Sequence, residues 1–207
     1  MTDMVIGVDF DNTIVCYDRL FHRIAVERGL VPASLEPRKN EVRDFLRRSG
    51  REQDWTELQG YVYGACMAEA RAFPDAVEFF TQCSKRRMPV YIVSHKTRTP
   101  VIGPDHDLHQ AARSWLEAEG FFDPARVGLS PDHVYFGATR SEKIELIRKL
   151  SCTHFIDDLE ETFCDPAFPA NVEKMLFGAR GRTVVPPGVR LMPDWRRIIE
   201  HVFDGRQ

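Results

Sequence analysis

Apolar residues in this chain come in short bursts separated by longer amphipathic stretches. Met4-Val5-Ile6-Gly7-Val8 is too short for a helix and runs directly into Asp9. A strand buried on both faces fits it. Similar bursts lie at Val90-Tyr91-Ile92-Val93, Val134-Tyr135-Phe136, His154-Phe155-Ile156 and Met175-Leu176-Phe177. Between them apolar residues recur at helical spacing. Ala76, Val77, Phe79, Phe80 and Cys83 mark one face over residues 75–87, and comparable patterns cover 108–119, 142–150 and 195–202. Strand and helix alternate, which predicts an α/β fold: a Rossmann-like parallel sheet with helices on both faces.

Residues 15–72 break that rhythm. Phe21, Ile24 and Ala25 have helical spacing up to Gly29, and 31–37 holds two prolines and reads as a loop. Val42, Phe45 and Leu46 mark a short amphipathic helix over 40–48. Trp55, Leu58, Val62, Ala65, Cys66 and Glu69 continue a helical pattern weakened at Gly60 and Gly64. With no convincing strand, this stretch predicts a small all-helical insert after the first strand. The expected domains are an α/β core from 1–14 and 73–207, and the insert, 15–72.

Composition narrows the function classes. The chain has 207 residues, 43% hydrophobic and 29% charged, which suits one globular domain with a smaller insert. A net charge of -3 supplies no basic field for a nucleic acid polymer. No apolar run could cross a bilayer, so no membrane partner is expected. The opening MTDMVIGVDF lacks the basic flank and long apolar core of a secretory signal. Five scattered cysteines with no CxxC pair argue against a disulfide framework or structural zinc, and for a cytoplasmic setting.

The candidate chemistry sits at strand ends, where ligands bind in parallel sheets. Three such ends are polar: Asp9-Phe10-Asp11-Asn12-Thr13, Ser94-His95-Lys96 and Asp157-Asp158. Carboxylates gathered from neighbouring strands make an oxygen cage for a hard divalent cation, and Mg²⁺ suits one that must leave room for substrate phosphate. Without a cation they would repel one another and raise one another's pKa values.

These residues resemble the motifs of the haloacid dehalogenase (HAD) superfamily. DFDNT at 9–13 matches its DxDx[TV] first motif, Ser94 the second-motif Ser/Thr, Lys143 the third-motif basic residue, and IDDLEE at 156–161 the acidic fourth motif. The resemblance implies a HAD-like core, with residues 15–72 standing where a C1-type cap belongs. It makes Asp9 the nucleophile that forms an aspartyl-phosphate and Asp11 the general acid, then base. The carboxylates of Asp9 and Asp158 and the backbone carbonyl of Asp11 would hold Mg²⁺. Asp157 would stand beside the ion, orient the site and pair with Lys143. Ser94 and Lys143 would bind phosphoryl oxygens, as would backbone N–H groups near Phe10 and Asn12, with Thr13 supporting the turn. Dehalogenases of the family lack the second aspartate, because a halide leaving group needs no proton. Asp11 therefore implies phosphoryl transfer.

Lys96 competes with Lys143 for the phosphate, and Lys143 is preferred because it begins a helix capped by Thr139 or Ser141. The first residues of the loop after Ser94, His95 and Lys96, border the substrate on this reading. The rest of that loop, with His106, Asp107 and His109, reads as a polar loop with Asp107 capping the next helix, in preference to a second metal site. Lys39, Arg43 and Arg47 share one side of the insert's second helix and read first as a solvated charged face; the functional alternative is that one or two of them hold a second anionic group of the substrate. The expected function is a Mg²⁺-dependent phosphatase for a small phosphorylated metabolite: a sugar, polyol or nucleoside monophosphate. The alternatives are a phosphomutase or phosphotransferase using the same aspartyl-phosphate, and a catalytically idle phosphometabolite-binding module.

Overall fold

A computed structural model describes residues 4–178 and 186–204. In chain order the first elements are β1 (Ile6–Val8), β2 (Val15–Cys16), α1 (Asp18–Glu27), α2 (Lys39–Arg48), α3 (Glu52–Tyr63) and β3 (Arg71–Ala72). Then come α4 (Ala76–Lys85), β4 (Val90–His95), α5 (Leu108–Ala118), β5 (Val134–Gly137) and α6 (Arg140–Lys149). The chain closes with β6 (His154–Asp157), α7 (Glu160–Phe163), β7 (Glu173–Phe177), β8 (Val189–Met192) and α8 (Trp195–Ile199). The α8 helix runs on into a π-helical turn, Glu200–Asp204.

The chain divides into two compact units. The first comprises Met1–Ile14, Ala72–Lys96 and Glu119–Gln207; the second comprises Val15–Arg71 and Thr97–Ala118.

The first unit is built on a six-stranded sheet in the order β5-β4-β1-β6-β7-β8, with every pairing parallel. From β1 the chain winds to one side through β4 and β5, then crosses to the other side to lay down β6, β7 and β8. The order therefore reverses at β1, and the carboxyl end of β1 is the topological switch point where such sheets bind ligands. Ile6 and Val8 are fully buried, as are the lateral neighbours of Val8, Ile92 and Ile156. Gly7 is needed here: a Cβ would lie 2.5 Å from the Phe155 ring.

Helices cover both faces of this sheet. Leu176 and Phe177 are consecutive in β7 and so point to opposite faces. Leu176 joins Ile144 and Ile147 of α6, with Phe155, Phe163 and Phe168, in one buried cluster. The Phe177 ring meets Trp195 of α8 at 5.6 Å, and Trp195 meets Phe79 of α4 at 4.9 Å. The α/β fold with a parallel sheet is thus as the alternation predicts. β8 was not expected. It is an edge strand with Arg190 exposed, and it carries no apolar run.

The second unit is mainly helical. Its centre is a set of touching rings: Tyr17 and Tyr63 at 5.0 Å, Phe21 and Trp55 at 5.1 Å, Phe21 and Tyr63 at 5.5 Å. Three expectations need correction. The stretch 15–72 is not free of strand, since β2 and β3 pair as a two-stranded ribbon. The helical pattern from Trp55 to Glu69 is also broken: α3 ends at Tyr63 and a single 3-10 turn covers Met67–Glu69. Finally, residues 97–118, expected in the core, cluster with the helical unit. There Trp115 Nε1 donates to the Ala70 carbonyl at 3.0 Å, and α5 buries Leu108, Ala112, Trp115 and Leu116. Gly60 and Gly64 explain the close approach of the preceding loop. A Cβ on either would meet Pro100 or His106 at 2.7 Å, so the glycines that weaken the helix admit the loop.

Among the described residues no helix is long and apolar enough to cross a membrane, and all five cysteines are free.

Candidate active site

The carboxyl end of β1 carries Asp9, which is held in register because its backbone N–H donates to the Ile156 carbonyl at 2.8 Å. The chain then turns. Asn12 takes the left-handed conformation at φ 59, which asparagine tolerates better than most residues. The Ile14 N–H closes the turn on the Phe10 carbonyl at 3.0 Å, and Trp195 Nε1 donates to the Thr13 carbonyl at 2.9 Å. Thr13 is buried, and its hydroxyl donates to Asp9 Oδ2 at 3.4 Å. The turn is thus fixed from three sides, which holds Asp9 and Asp11 at the sheet end.

The fourth-motif carboxylates arrive from β6, the strand beside β1. Asp9, Asp157 and Asp158 each offer an oxygen within 4.8 Å of the other two. Asp157 is fully buried, and its Oδ1 accepts from the Leu159 N–H at 3.0 Å. Lys143 reaches the same place from α6. Its ammonium lies 2.6 Å from Asp9 Oδ1 and 2.7 Å from Asp157 Oδ2, and the residue is only 2% exposed.

Two local features deliver Lys143. Thr139 caps α6 by accepting from the Glu142 N–H, which selects it over Ser141 as the cap. Gly137, at the end of β5, lets the helix start close to the sheet: a Cβ there would lie 2.8 Å from the Lys143 backbone nitrogen. Sequence reasoning missed Gly137. The available signal was a glycine at a strand end two residues before a helix cap.

From β4, Ser94 is buried, and its Oγ has no hydrogen-bond partner among the described residues; the same holds for Asn12 Oδ1. Buried polar atoms are seldom left unmatched in proteins, so such atoms at a strand end mark places for a bound polar group. His95 is exposed, and its Nε2 donates to the Ala138 carbonyl at 3.2 Å. Lys96 is buried, and its ammonium lies 2.8 Å from Asp11 Oδ2 and 3.1 Å from Asp11 Oδ1. Phe10 is buried beside it, with the ammonium 5.7 Å from its ring centre. Thus Asp9, Phe10, Asp11, Asn12, Thr13, Ser94, His95, Lys96, Lys143, Asp157 and Asp158 all belong to the first unit.

Lys39, Arg43 and Arg47 belong to the second unit. Arg43 pairs with Asp44 at 2.8 Å and Arg47 with Glu52 at 2.7 Å, while the Lys39 ammonium lies 5.5 Å from the Tyr63 ring centre. The two arginines therefore have acidic neighbours of their own. Asp107 caps α5 through the Gln110 N–H at 2.9 Å, as a polar loop would have it.

The electrostatics follow from burial. Desolvation pushes the Asp9 carboxyl up from 3.8 to about 6; Lys143 opposes the rise, and the Asp157 and Asp11 carboxylates add to it. For Lys143, burial alone would favour the neutral amine. The Asp157 and Asp9 carboxylates outweigh it and hold the ammonium charged, above the ordinary lysine value. Four carboxylates (Asp9, Asp11, Asp157, Asp158) against two ammonium groups (Lys96, Lys143) leave this group with two formal negative charges. An all-oxygen donor set with that balance fits a hard divalent cation. Asp9 and Asp158, with Asp157 beside them, are the residues that could hold it.

No protein-family model matches the chain, and no curated protein matches its sequence. Solved structures do match its fold. A HAD family hydrolase from Deinococcus radiodurans R1, with bound phosphate and sodium, aligns at 14% identity and TM-score 0.62 over 98% of this chain and 96% of that one. A HAD hydrolase of family IA, variant 3, from Entamoeba histolytica aligns at 12% identity and TM-score 0.60 over 97% and 98%. A dehalogenase aligns at 11% identity and TM-score 0.60 over 97% of each chain. The parallel α/β sheet is shared ground with these neighbours: the chain has the fold of the HAD-superfamily hydrolases.

Proposed function

We propose that the protein is a Mg²⁺-dependent phosphatase that hydrolyses a small phosphorylated metabolite through an aspartyl-phosphate on Asp9. The observation that carries this reading is the pair of carboxylates on one fixed turn. Asp9 lies beside Lys143 and the β6 carboxylates, while Asp11 has a separate partner in Lys96. Two differently partnered carboxylates suit two different tasks, nucleophile and proton carrier. A dehalogenase would have no use for the second, since halide leaves without a proton. The phosphate and sodium in the Deinococcus neighbour accord with a site for an anion and a cation.

In the first step an Asp9 carboxylate oxygen bonds to phosphorus as the ester P–O bond breaks. Asp11 gives its proton to the departing alcohol oxygen. In the second, Asp11 takes a proton from water as the water oxygen bonds to phosphorus and the Asp9 O–P bond breaks. Lys143 offsets charge on Asp9, and Ser94 Oγ donates to a phosphoryl oxygen. When bound, Mg²⁺ supplies the positive charge that lets one anion approach another. The helical second unit is proposed as the cap that selects the metabolite.

A phosphate-release screen over sugar, polyol and nucleoside monophosphates, with p-nitrophenyl phosphate as a generic substrate, tests this. Release that requires Mg²⁺ and disappears in Asp9→Asn is expected. Undiminished turnover in that variant would rule out the covalent route.

A further inference from the structure

We propose that Lys96 is a positioning residue for Asp11, holding its carboxylate in the orientation from which it exchanges protons. This rests on the phosphatase reading above and divides the two lysines of the site between its two carboxylates. Lys143 lies against Asp9 and Asp157. Lys96 lies against both oxygens of Asp11, at 2.8 and 3.1 Å. One ammonium touching both oxygens restrains rotation of the carboxylate about its last bond, as a contact to a single oxygen would not.

The base from which Lys96 acts is rigid. It directly follows β4, and its backbone N–H donates to the Gly137 carbonyl at the end of β5 at 2.9 Å. Its side chain is 3% exposed and that of Asp11 16%, so the anchor is the more deeply buried of the two. Its ammonium lies 5.7 Å from the ring centre of the buried Phe10, the residue between the two carboxylates. Proton transfer to a leaving oxygen depends steeply on such alignment.

The test is Lys96→Met, which keeps the stem and removes the ammonium. Asp11 also acts on water in the second step, which every substrate shares, so the readout that separates substrates is kcat/KM, which reports the first step; there a positioning role spares substrates whose leaving group needs no proton. The kcat/KM for an alkyl phosphate should fall about 100-fold, and that for p-nitrophenyl phosphate far less. Competitive inhibition by orthophosphate should stay unchanged. Adding Lys96→Met to Asp11→Asn should cause no further loss, because the two act as a unit. Lys96→Arg keeps the charge but displaces it, and should show the same preference at smaller size; it provides the folded comparison if Lys96→Met does not fold. Equal losses of kcat/KM on both substrates, or weakened orthophosphate inhibition, would overturn the assignment and give Lys96 to the phosphoryl group. A wild-type protein that releases phosphate from neither substrate would instead overturn the phosphatase reading itself.

Discussion

Lys143 sets its ammonium 2.6 Å from the Asp9 carboxylate, with both residues buried. The same ammonium is 2.7 Å from Asp157, so one cation from α6 ties together the ends of β1 and β6. Lys143→Met would leave two buried carboxylates beside each other with that cation gone. Removing one partner of a buried ionic group costs about 3–5 kcal/mol, most of it the desolvation of the charge left behind. Denaturant unfolding of the metal-free protein should register a loss of that order. Unchanged stability would mean that the carboxylates find another partner and that this lysine does not hold the two strands together.

The elements that could be read from the chain are those whose pattern is local. β1, β4 and β6 are buried on both faces, so their apolar runs stand out, and each ends in the polar residues that make the site. β8 could not be read because an edge strand with an exposed Arg190 has no such run. β2 and β3 are two residues each, too short to show any alternation. α5 was legible as a helix but not as part of the second unit, because what assigns it there is the long-range contact of Trp115 with Ala70. The site divides in the same way. Residue types at strand ends could be seen; that Lys96 lies on Asp11, that Trp195 supports the Thr13 carbonyl, and that Gly137 makes room for α6 could not, since each depends on partners far along the chain.

Gly137 gives the next prediction. An added methyl would sit 2.8 Å from the Lys143 backbone nitrogen, a main-chain atom that can yield only if the start of α6 moves. Gly137→Ala should cost about 1–3 kcal/mol in thermal unfolding, as overpacking does. It should also lower kcat, since the shift is applied to the residue that reaches Asp9. Loss of stability with full turnover would show that the lysine side chain absorbs the movement.

The raised Asp9 pKa predicts how stability depends on pH. Below 3.8 the carboxyl is protonated in both folded and unfolded chains and contributes nothing to the slope. Between 3.8 and about 6 the folded state still binds the proton that the unfolded state has lost. Unfolding then releases a proton, so stability falls as pH rises through this window, and the full cost is present above it. About two pKa units correspond to roughly 3 kcal/mol. In chelator, Asp9→Asn should therefore be more stable than wild type at pH 7 and lack this part of the pH slope. Melting curves from pH 3.5 to 7.5 (roughly the titration range of one carboxyl) compare the two. Parallel curves would mean that Asp9 ionises in the folded protein as it does in the unfolded one.

Mg²⁺ should reverse that cost, and the reversal can be read without any substrate. A cation that binds only the folded state stabilises it by RT ln(1 + [L]/Kd), about 2.7 kcal/mol at 100 times Kd. Calorimetric melting should therefore rise with Mg²⁺ concentration and return to its starting value when a chelator is added. Asp158 and Asp9 each offer an oxygen to the same point, so Asp158→Asn or Asp9→Asn should remove most of the shift. Asp11→Asn should keep most of it, because Asp11 is proposed to act on the ion through its backbone carbonyl and its carboxylate is engaged by Lys96. An identical Mg²⁺ shift in wild type and Asp158→Asn would place the ion elsewhere on the protein and leave the carboxylates of β1 and β6 to be balanced by the lysines alone.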